Sequence, residues 1–345
     1  ALPKQPDARR VERVLSRLGH DIELIWCDTE LPTRTERLSM RNYQPREEFG
    51  EFERERFARE GERAYQLIRE LSGKSSYSEQ SPSFIRPLTK TALYFFSYLI
   101  SRFAFPRTET IVLMYHAVDR SGWKLSVTPE MFERQMNYLA RKGWAVPLMD
   151  VVAYAKGEKK LPAHAVAVTF DDGYRDLLTT VLPIITKYKI PITIFVPSDV
   201  SVRSGERAKR DICTWEELRT LQHTGLVSIE SHSRTHAHLS RLSPHELAEE
   251  IEGSAGDIER ELGILPRYHA YPYGERSPAI EAETAKTYVA AFGITEGLIQ
   301  KGDDLFRLKR VQIDGTMSFL LFRLRLTAAV DWNRRIVDSL RHFVS

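Results

Sequence analysis

The chain has 345 residues, of which 42% are hydrophobic and 28% charged, and its 50 basic and 47 acidic side chains leave a formal net charge of +3. This size allows one large domain with an appendage or two modest domains, and the composition is typical of a soluble globular protein. The balanced charge, with basic residues scattered along the chain, argues against a nucleic-acid-binding surface. The two cysteines, Cys27 and Cys213, lie far apart and form no paired motif, which argues against a disulfide framework or a thiolate zinc site.

Residues 1–105 differ in composition from the rest, and we predict a mainly helical N-terminal region of unknown role, followed by a second domain over 106–345. A long charged helix with a narrow apolar stripe is predicted over 45–71, and a serine-rich linker over 73–83. No catalytic motif occurs in this N-terminal region. We therefore expect it to be a solvated helical extension.

The stretch 91–105 is the most apolar part of the chain, but it is too short to span a bilayer and contains Arg102. We expect a helix packed on the domain, and the alternative is an interfacial helix that gives 86–105 a peripheral membrane contact. No basic-then-apolar leader is visible, so no secretory signal is predicted from this chain. The cell envelope or periplasmic side is one option for its location, and the sequence makes no prediction of oligomeric state.

From residue 110 onward, predicted strands alternate with predicted helices. The strands cover 111–115, 166–170, 190–196, 226–229, 269–271, 290–294 and 308–313. The helices cover 129–141, 174–188, 215–223, 243–262, 278–287 and a last segment from 318 to near the end. This alternation predicts parallel strands joined by crossover helices, and six to eight such units over roughly 235 residues match the size of a (β/α) barrel.

The strand 166–170 leads directly into Asp171, Asp172 and Gly173. Adjacent carboxylates repel each other, and a metal ion is the usual reason to keep such a pair, with one acid ligating and the other free to take a proton. Asp-Asp-Gly is also ordinary turn chemistry. The residues at the other strand ends distinguish a metal site from an ordinary turn.

His232 and His236 follow the strand 226–229, and their four-residue separation lets both rings reach one ion if the stretch turns helically. With a carboxylate from the Asp pair they would form a two-histidine, one-carboxylate site with positions left for a water and a substrate oxygen. Zinc or another divalent metal would lower the pKa of that water towards about 7 and polarise a carbonyl, and the second carboxylate would act as general base. The alternative is a pair of loop histidines bonded to backbone.

Two further strand ends carry polar groups. His116 ends the strand 111–115, and its alternative is a buried histidine bonded to a carbonyl group. The turn 271–274, Tyr-Pro-Tyr-Gly, could aim the backbone N–H of Tyr273 at a developing oxyanion, or it could serve only as a turn and in packing.

These residues together resemble the polysaccharide deacetylases, the NodB-homology domain of carbohydrate esterase family 4. The segment 169–174, Thr-Phe-Asp-Asp-Gly-Tyr, is similar to the first family motif. The segment 231–236, Ser-His-Ser-Arg-Thr-His, is similar to the second, and 271–274 to the third. The resemblance covers about 108–320 and implies an α/β fold, a distorted (β/α)7 barrel, and metal-dependent removal of an N- or O-acetyl group from a sugar.

The resemblance also implies a role for each matched residue. Asp171 would be the catalytic base, and Tyr273 would lend its backbone amide to the oxyanion hole. Asp172, His232 and His236 would hold a divalent metal, with zinc as the first choice and cobalt or nickel as alternatives.

The sequence departs from the family pattern at two points. Many members carry an arginine in the third motif that tunes the base, but here only Arg267 lies upstream, and we assign Arg310 and Asp314 to packing near the rim. The late Leu-x-His motif that supplies the general acid is also missing. However, 113–118 is similar to the opening strand of the poly-N-acetylglucosamine deacetylase branch, in which the motif order is permuted and an early histidine replaces the acid. The resemblance therefore implies His116 as general acid.

The sequence thus predicts a hydrolase that removes acetyl groups from a glycan containing N-acetylglucosamine. Substrate contacts are predicted for Tyr271, Pro272 and Trp215. One alternative is an amidase or esterase acting on a small acylated substrate. Another is a catalytically inactive carbohydrate-binding domain, against which the intact set of acids and histidines argues.

Overall fold

The computed structural model describes residues 109–199, 208–331, 333 and 334, together with Tyr94, Tyr98 and Ser201. All of these residues belong to one compact unit, Tyr94–Asp338. The predicted helix 45–71, the linker 73–83 and Cys27 lie outside the described residues. The same holds for 86–105 apart from the two tyrosines, so the expectations for the N-terminal region and its boundary stay predictions.

Tyr94 and Tyr98 are both helical. The Tyr94 side chain is fully buried, its hydroxyl donates to the Glu296 carboxylate at 3.0 Å, and the Arg325 guanidinium lies 5.3 Å from its ring centroid. At these two positions the contacts agree with a helix packed on the domain. Among the residues that the structure describes, no helix has the length and apolar character needed to cross a membrane.

Seven strands form one sheet in which every neighbouring pair is parallel, as the alternation of elements predicts. The strands in chain order are β1 (Glu109–Tyr115), β2 (Ala117–Val118), β3 (Ser126–Val127), β4 (His164–Asp171), β5 (Ile192–Val196), β6 (Val227–Ser231), β7 (Tyr268–Ala270), β8 (Ala290–Phe292) and β9 (Val311–Gln312). The order across the sheet is β8-β7-β6-β5-β4-β1-β9, and β2 and β3 form a separate two-stranded ladder.

The segment that ends in β9 brings the two edges of the sheet together. Val311 pairs with Leu113 of β1, and Leu308 forms a parallel bridge with Phe292 of β8. Because the segment that ends in the edge strand β9 pairs with β1 and also bridges to β8, the opposite edge, the sheet curls into an irregular seven-stranded barrel. This architecture confirms the predicted distorted (β/α)7 barrel.

The helices lie between the strands, and their bounds agree with the prediction within a few residues for most of them. They are α1 (Pro129–Lys142), α2 (Leu148–Lys156), α3 (Leu182–Tyr188), α4 (Trp215–His223), α5 (Pro244–Leu262), α6 (Pro278–Thr287) and α7 (Phe319–Arg325). Helix α2, which has nine residues and no side-chain cap, is not predicted from the sequence. The helix predicted over 174–188 instead begins with a π-helical turn, Leu177–Val181, that leads into α3.

Both ends of α5 are fixed by local chemistry. Ser243 Oγ accepts the backbone N–H of Glu246, and the Glu246 carboxylate accepts the backbone N–H of Ser243, which forms a capping box. At the other end Gly263 adopts a left-handed conformation, with φ 68°, that ends the helix. Both ends of α5 are therefore set by local interactions. The face that the helix turns towards the barrel contacts the segment before His236.

Glu230 is a buried acid in β6. Its Oε2 accepts the backbone N–H groups of Arg267 and Tyr268 at 2.7 and 2.8 Å. Burial raises the pKa of Glu230 to about 8, although these two hydrogen bonds oppose the change.

We expect Glu230 to make the folded state less stable as the pH rises from about 4.5 to about 8. The folded pKa lies above the ordinary value of 4.5, so the folded protein binds more protons than the unfolded chain within this window. The stabilisation that this proton contributes is fully present below the unfolded pKa of 4.5. It is lost as the pH rises through the folded pKa of about 8. Glu230→Gln cannot titrate, so its melting temperature should fall less than that of the wild type over this range. An equal fall in melting temperature with pH in the two proteins would contradict the raised pKa of Glu230. Glu249→Gln, which changes an exposed acid, is the control.

Candidate active site

The carboxyl ends of neighbouring strands gather the polar residues that the sequence singles out. Tyr115 of β1 pairs with Phe170 of β4, so His116 and Asp171 occupy adjacent positions one residue further along. β6, which joins β4 through β5, ends at Ser231 directly before His232. Parallel strands point their carboxyl ends to one side of a barrel, and this side carries the catalytic residues of such folds.

Asp172, His232 and His236 bring one carboxylate oxygen and two imidazole nitrogens within 4.8 Å of one another, and all three residues are buried. Asp172 Oδ1 lies 3.5 Å from His236 Nε2 and 4.0 Å from His232 Nε2. Bonds of about 2.0–2.2 Å around a tetrahedral zinc ion separate ligand atoms by about 3.4 Å. The donor types and their spacing therefore fit a divalent cation.

The two neighbouring carboxylates have different surroundings. His232 Nε2 lies 4.0 Å from Asp171 Oδ2 as well as from Asp172 Oδ1, so this histidine alone does not distinguish them. His236 approaches Asp172, whose other oxygen accepts a hydrogen bond from the Tyr174 hydroxyl at 2.8 Å. This geometry favours Asp172 as the ligand and leaves Asp171 for a different task.

His232 is held in the form that binds a metal. Its Nδ1–H donates to the Ala270 carbonyl at 2.7 Å, which leaves the lone pair on Nε2. Burial holds the pKa of His232 well below its ordinary value of 6.5, and the neighbouring His236 lowers it further, although Asp172 opposes the change. The ring is therefore neutral, with its tautomer fixed by a hydrogen bond behind it.

The backbone between the two histidines is irregular, which corrects the expectation of a helical turn. Ser233 and His236 have φ values of 60° and 61°, and Asp172 has a φ of 73°. Left-handed conformations at non-glycine residues cost about 1–3 kcal/mol each and concentrate at functional sites. The imidazoles converge because this strained segment folds back, and not because they lie one turn apart on a helix.

The prediction that Arg310 serves only in packing is wrong. The residue is fully buried and binds Asp171 with two parallel contacts, Nη1 to Oδ1 at 2.6 Å and Nη2 to Oδ2 at 2.9 Å. Its Nε donates to the Gly293 carbonyl at 3.1 Å. The arginine paired with Asp171 is therefore Arg310, whereas Arg267 is exposed and donates its backbone N–H to Glu230.

A signal for Arg310 is present in the sequence. It is one of two charged residues, with Lys309, in the predicted strand 308–313, and a guanidinium buried there would need an acidic partner. Asp171 lies 139 residues earlier, so no local pattern connects the pair. Asp314, the other residue assigned to packing, binds Thr316 within a local turn.

His116 is half-buried, and its ring meets Trp123 edge to face with centroids 6.2 Å apart. The Nδ1 atom is buried and has no hydrogen-bond partner among the described residues. The alternative of a histidine whose Nδ1 is bonded to a carbonyl therefore does not describe this ring.

Tyr273 occupies a left-handed position, with φ 56°, and 47% of the residue is exposed. Its ring stacks on His238 with centroids 4.1 Å apart and meets His236 edge to face at 4.6 Å. Gly274 follows, and a Cβ there would lie 2.4 Å from Ile294, so only glycine fits this turn. The turn thus carries Tyr273 to the rim beside the metal-ligand candidates.

Tyr271 and Pro272, for which the sequence predicts substrate contacts, are both buried, and those contacts stay a prediction. The Tyr271 hydroxyl donates to the Phe306 carbonyl at 3.2 Å, which makes it a packing residue behind the turn. Trp215 begins α4 half-buried against the main core, and its contact with substrate stays a prediction.

Residues 158–292 match the family model described as polysaccharide deacetylase. This range contains Asp171, Asp172, His232 and His236, whereas Arg310 lies beyond it. The solved structure of IcaB from Ammonifex degensii has a similar fold, with a TM-score of 0.56 and 24% identity over 65% of this chain and 97% of that one.

Curated relatives agree with the family match. YxkH of Bacillus subtilis (strain 168), whose name places it among the polysaccharide deacetylases, is 27% identical over 209 residues, or 60% of this chain and 72% of that protein. The poly-beta-1,6-N-acetyl-D-glucosamine N-deacetylase of Staphylococcus aureus (strain MSSA476) is 26% identical over 241 residues, or 61% of this chain and 80% of that protein. A protein of the same name from Escherichia coli (strain K12) is matched over 24% of its length.

Proposed function

This chain contains a polysaccharide deacetylase domain, and from that premise we propose that it hydrolyses the acetamide of N-acetylglucosamine units in a polysaccharide with the help of a divalent metal. One observation carries the proposal: a buried carboxylate-and-histidine trio lies beside a second carboxylate that a buried arginine holds separately. The N-deacetylase names of the relatives from Staphylococcus aureus and Escherichia coli support the choice of glycan.

Asp172, His232 and His236 would hold the metal, for which zinc is our first choice and cobalt or nickel the alternatives. Such an ion, when bound, polarises an acyl carbonyl and lowers the pKa of a water molecule towards about 7. The buried trio contributes one negative charge and two neutral rings, so a divalent cation would keep a net positive charge. That charge suits a site where an oxyanion develops.

Asp171 would accept the proton of the attacking water. Arg310 fixes both carboxylate oxygens, so the acid cannot rotate towards the trio and compete with Asp172 for the metal. Its Oδ2 nevertheless lies only 4.0 Å from His232 Nε2, so Asp171 would stay close to a metal held by the trio. The base is therefore both adjacent to the reaction and independently held.

Two further residues would complete the hydrolysis. The backbone N–H of Tyr273 would donate to the oxyanion formed when water adds to the acetyl carbon. His116 would then protonate the amine nitrogen as the carbon–nitrogen bond breaks, which releases acetate and the free amino sugar. The position of His116 next to Asp171, directly after paired strand residues, supports this role.

Metal content tests the proposal first. The purified wild type should hold about one divalent ion per chain, and His232→Ala should lose both the ion and the release of acetate from acetylated β-1,6-linked glucosamine oligomers. His245→Ala, which changes an exposed histidine on α5, is the matched control and should retain both. A wild type that is free of metal and also fails to take up zinc would refute the proposal and favour a binding domain.

Two substrates with different leaving groups separate a loss of proton donation by His116 from a general disruption of the active site. His116→Gln should lower kcat/KM about 10²–10⁴-fold on an acetamide, whose amine must be protonated to leave. On an activated aryl acetate, whose phenolate leaves unprotonated, the same variant should lose much less. Equal losses on both substrates would contradict the assignment of general acid.

A further inference from the structure

One face of α5 is polar although it is buried against the barrel. Glu250, Ser254 and Asp257 lie at helical positions i, i+4 and i+7, and all three are at most 8% exposed. Polar groups are buried in this way only when other groups satisfy their hydrogen bonds. Most of their partners lie in the segment 231–236, which carries both histidines of the proposed metal site. Asp257 also binds Ser198 and, on the same helix, Arg260.

Glu250 makes the most contacts with this segment. Its Oε2 accepts the backbone N–H groups of Arg234 at 3.1 Å and Thr235 at 2.9 Å, and its Oε1 accepts the Thr235 hydroxyl at 2.6 Å. A single carboxylate thus satisfies three donors on the two residues in the middle of the turn between His232 and His236. None of these donors belongs to the metal-ligand candidates themselves.

The other members of the polar face contact Ser231 at the start of the segment and the Arg234 side chain in its middle. Ser254 Oγ lies 2.9 Å from Ser231 Oγ, immediately before His232. Asp257 Oδ2 accepts hydrogen bonds from Arg234 Nε at 3.2 Å and from Ser198 Oγ at 2.8 Å. Among the three polar residues of this helix face, only Glu250 binds the backbone of the turn. From the other side, the backbone N–H groups of Ser198 and Asp199 donate to the carbonyls of Ser233 and Arg234 at 3.2 and 2.7 Å.

The turn needs such an anchor because its backbone is strained. Ser233 and His236 are both left-handed, which costs about 1–3 kcal/mol at each non-glycine position. Charge-assisted hydrogen bonds from a buried carboxylate are about twice as strong as neutral ones. Without them the turn can relax, and His236 would move away from Asp172.

We propose that Glu250 is a positioning residue that holds the turn in the conformation in which His232 and His236 face Asp172, and that it thereby sets the metal affinity of the site. The inference rests on the metal site of the proposed function. It assigns to the α5 carboxylate a role that is separate from ligation and from proton transfer.

The experiment measures the zinc dissociation constant of folded variants by competition with a chromophoric chelator, together with the visible spectrum of the cobalt form. Glu250→Ala removes all three hydrogen bonds, and we expect zinc to bind about 10–100-fold more weakly, as is typical when a partner behind a ligand is lost. Glu250→Gln keeps one oxygen for the two N–H groups and an amide that can donate to the Thr235 hydroxyl. This conservative variant should restore affinity to within a few-fold of the wild type.

Glu252→Ala is the charge-matched control because it removes a carboxylate from the exposed face of the same helix, and its zinc affinity should stay at the wild-type value. If Glu250→Ala does not fold, Thr235→Val decides, because it removes only the hydroxyl bond and should weaken zinc binding measurably, by roughly threefold. An unchanged dissociation constant in the folded variant would overturn the inference.

A lower melting temperature of metal-free Glu250→Ala beside that unchanged constant would show that the residue is merely structural. A second outcome would also overturn the inference: if Glu250→Gln loses as much affinity as Glu250→Ala, the effect is that of the charge and not of the hydrogen bonds. A wild type that binds no zinc would instead refute the proposed function, so the two failures are distinguishable.

Discussion

Asp171→Asn is expected to lower the rate of deacetylation by about 10²–10⁴-fold while the protein still binds one divalent ion per chain. The amide is nearly isosteric with the carboxylate but cannot accept the proton of the attacking water. Metal binding should persist because Asp172, His232 and His236 supply the ligand atoms without Asp171. The measurement is kcat/KM on an acetylated glucosamine oligomer, beside the metal content of the same preparation.

Asp211→Asn serves as the control for Asp171→Asn, since Asp211 is exposed and its side chain lies in no part of the proposed machinery. Its activity and metal content should equal those of the wild type. Loss of the metal in Asp171→Asn would mean that this carboxylate is itself a ligand. Undiminished turnover would mean that another group accepts the proton.

Arg310→Met is expected to reduce the free energy of unfolding by about 3–5 kcal/mol, because it leaves the Asp171 carboxylate buried without its partner. Activity should fall as well, since the base loses the two contacts that orient it. Arg310→Lys keeps the charge but cannot form the two parallel bonds, so its stability should lie between those of the other two proteins. Urea unfolding with the same acetate-release assay measures both effects.

A double-mutant cycle separates the Arg310–Asp171 interaction from the loss of Arg310 packing. The combined variant Arg310→Met, Asp171→Asn carries no unpaired buried charge, so its destabilisation should be smaller than the sum of the single changes. Arg267→Met alters the exposed arginine that the sequence offers near the third motif, and it should change stability by less than about 0.5 kcal/mol. Strict additivity in the cycle would contradict a direct interaction between the two buried groups.

The alternation of apolar strands and amphipathic helices by itself determines the parallel barrel, because the periodicity of each element is a local property of the chain. The motif residues are equally local. Asp171 and Asp172 end a strand, and His232 and His236 follow another strand of the same parallel sheet, so topology alone brings these strand ends to one side of the barrel. The sequence therefore suffices for the fold and for the candidate metal ligands.

Only the tertiary structure decides which groups support those residues. Arg310 reaches Asp171 because the segment ending in β9 closes the barrel, and Glu250 reaches the turn before His236 because α5 packs against β6. The side chain of Tyr271 lies behind its turn for a similar reason, since burial depends on what packs against a residue. These contacts join positions that are distant or out of phase in the chain. Their partners are therefore selected by packing and by the need to satisfy buried charge, which no local pattern of residues encodes.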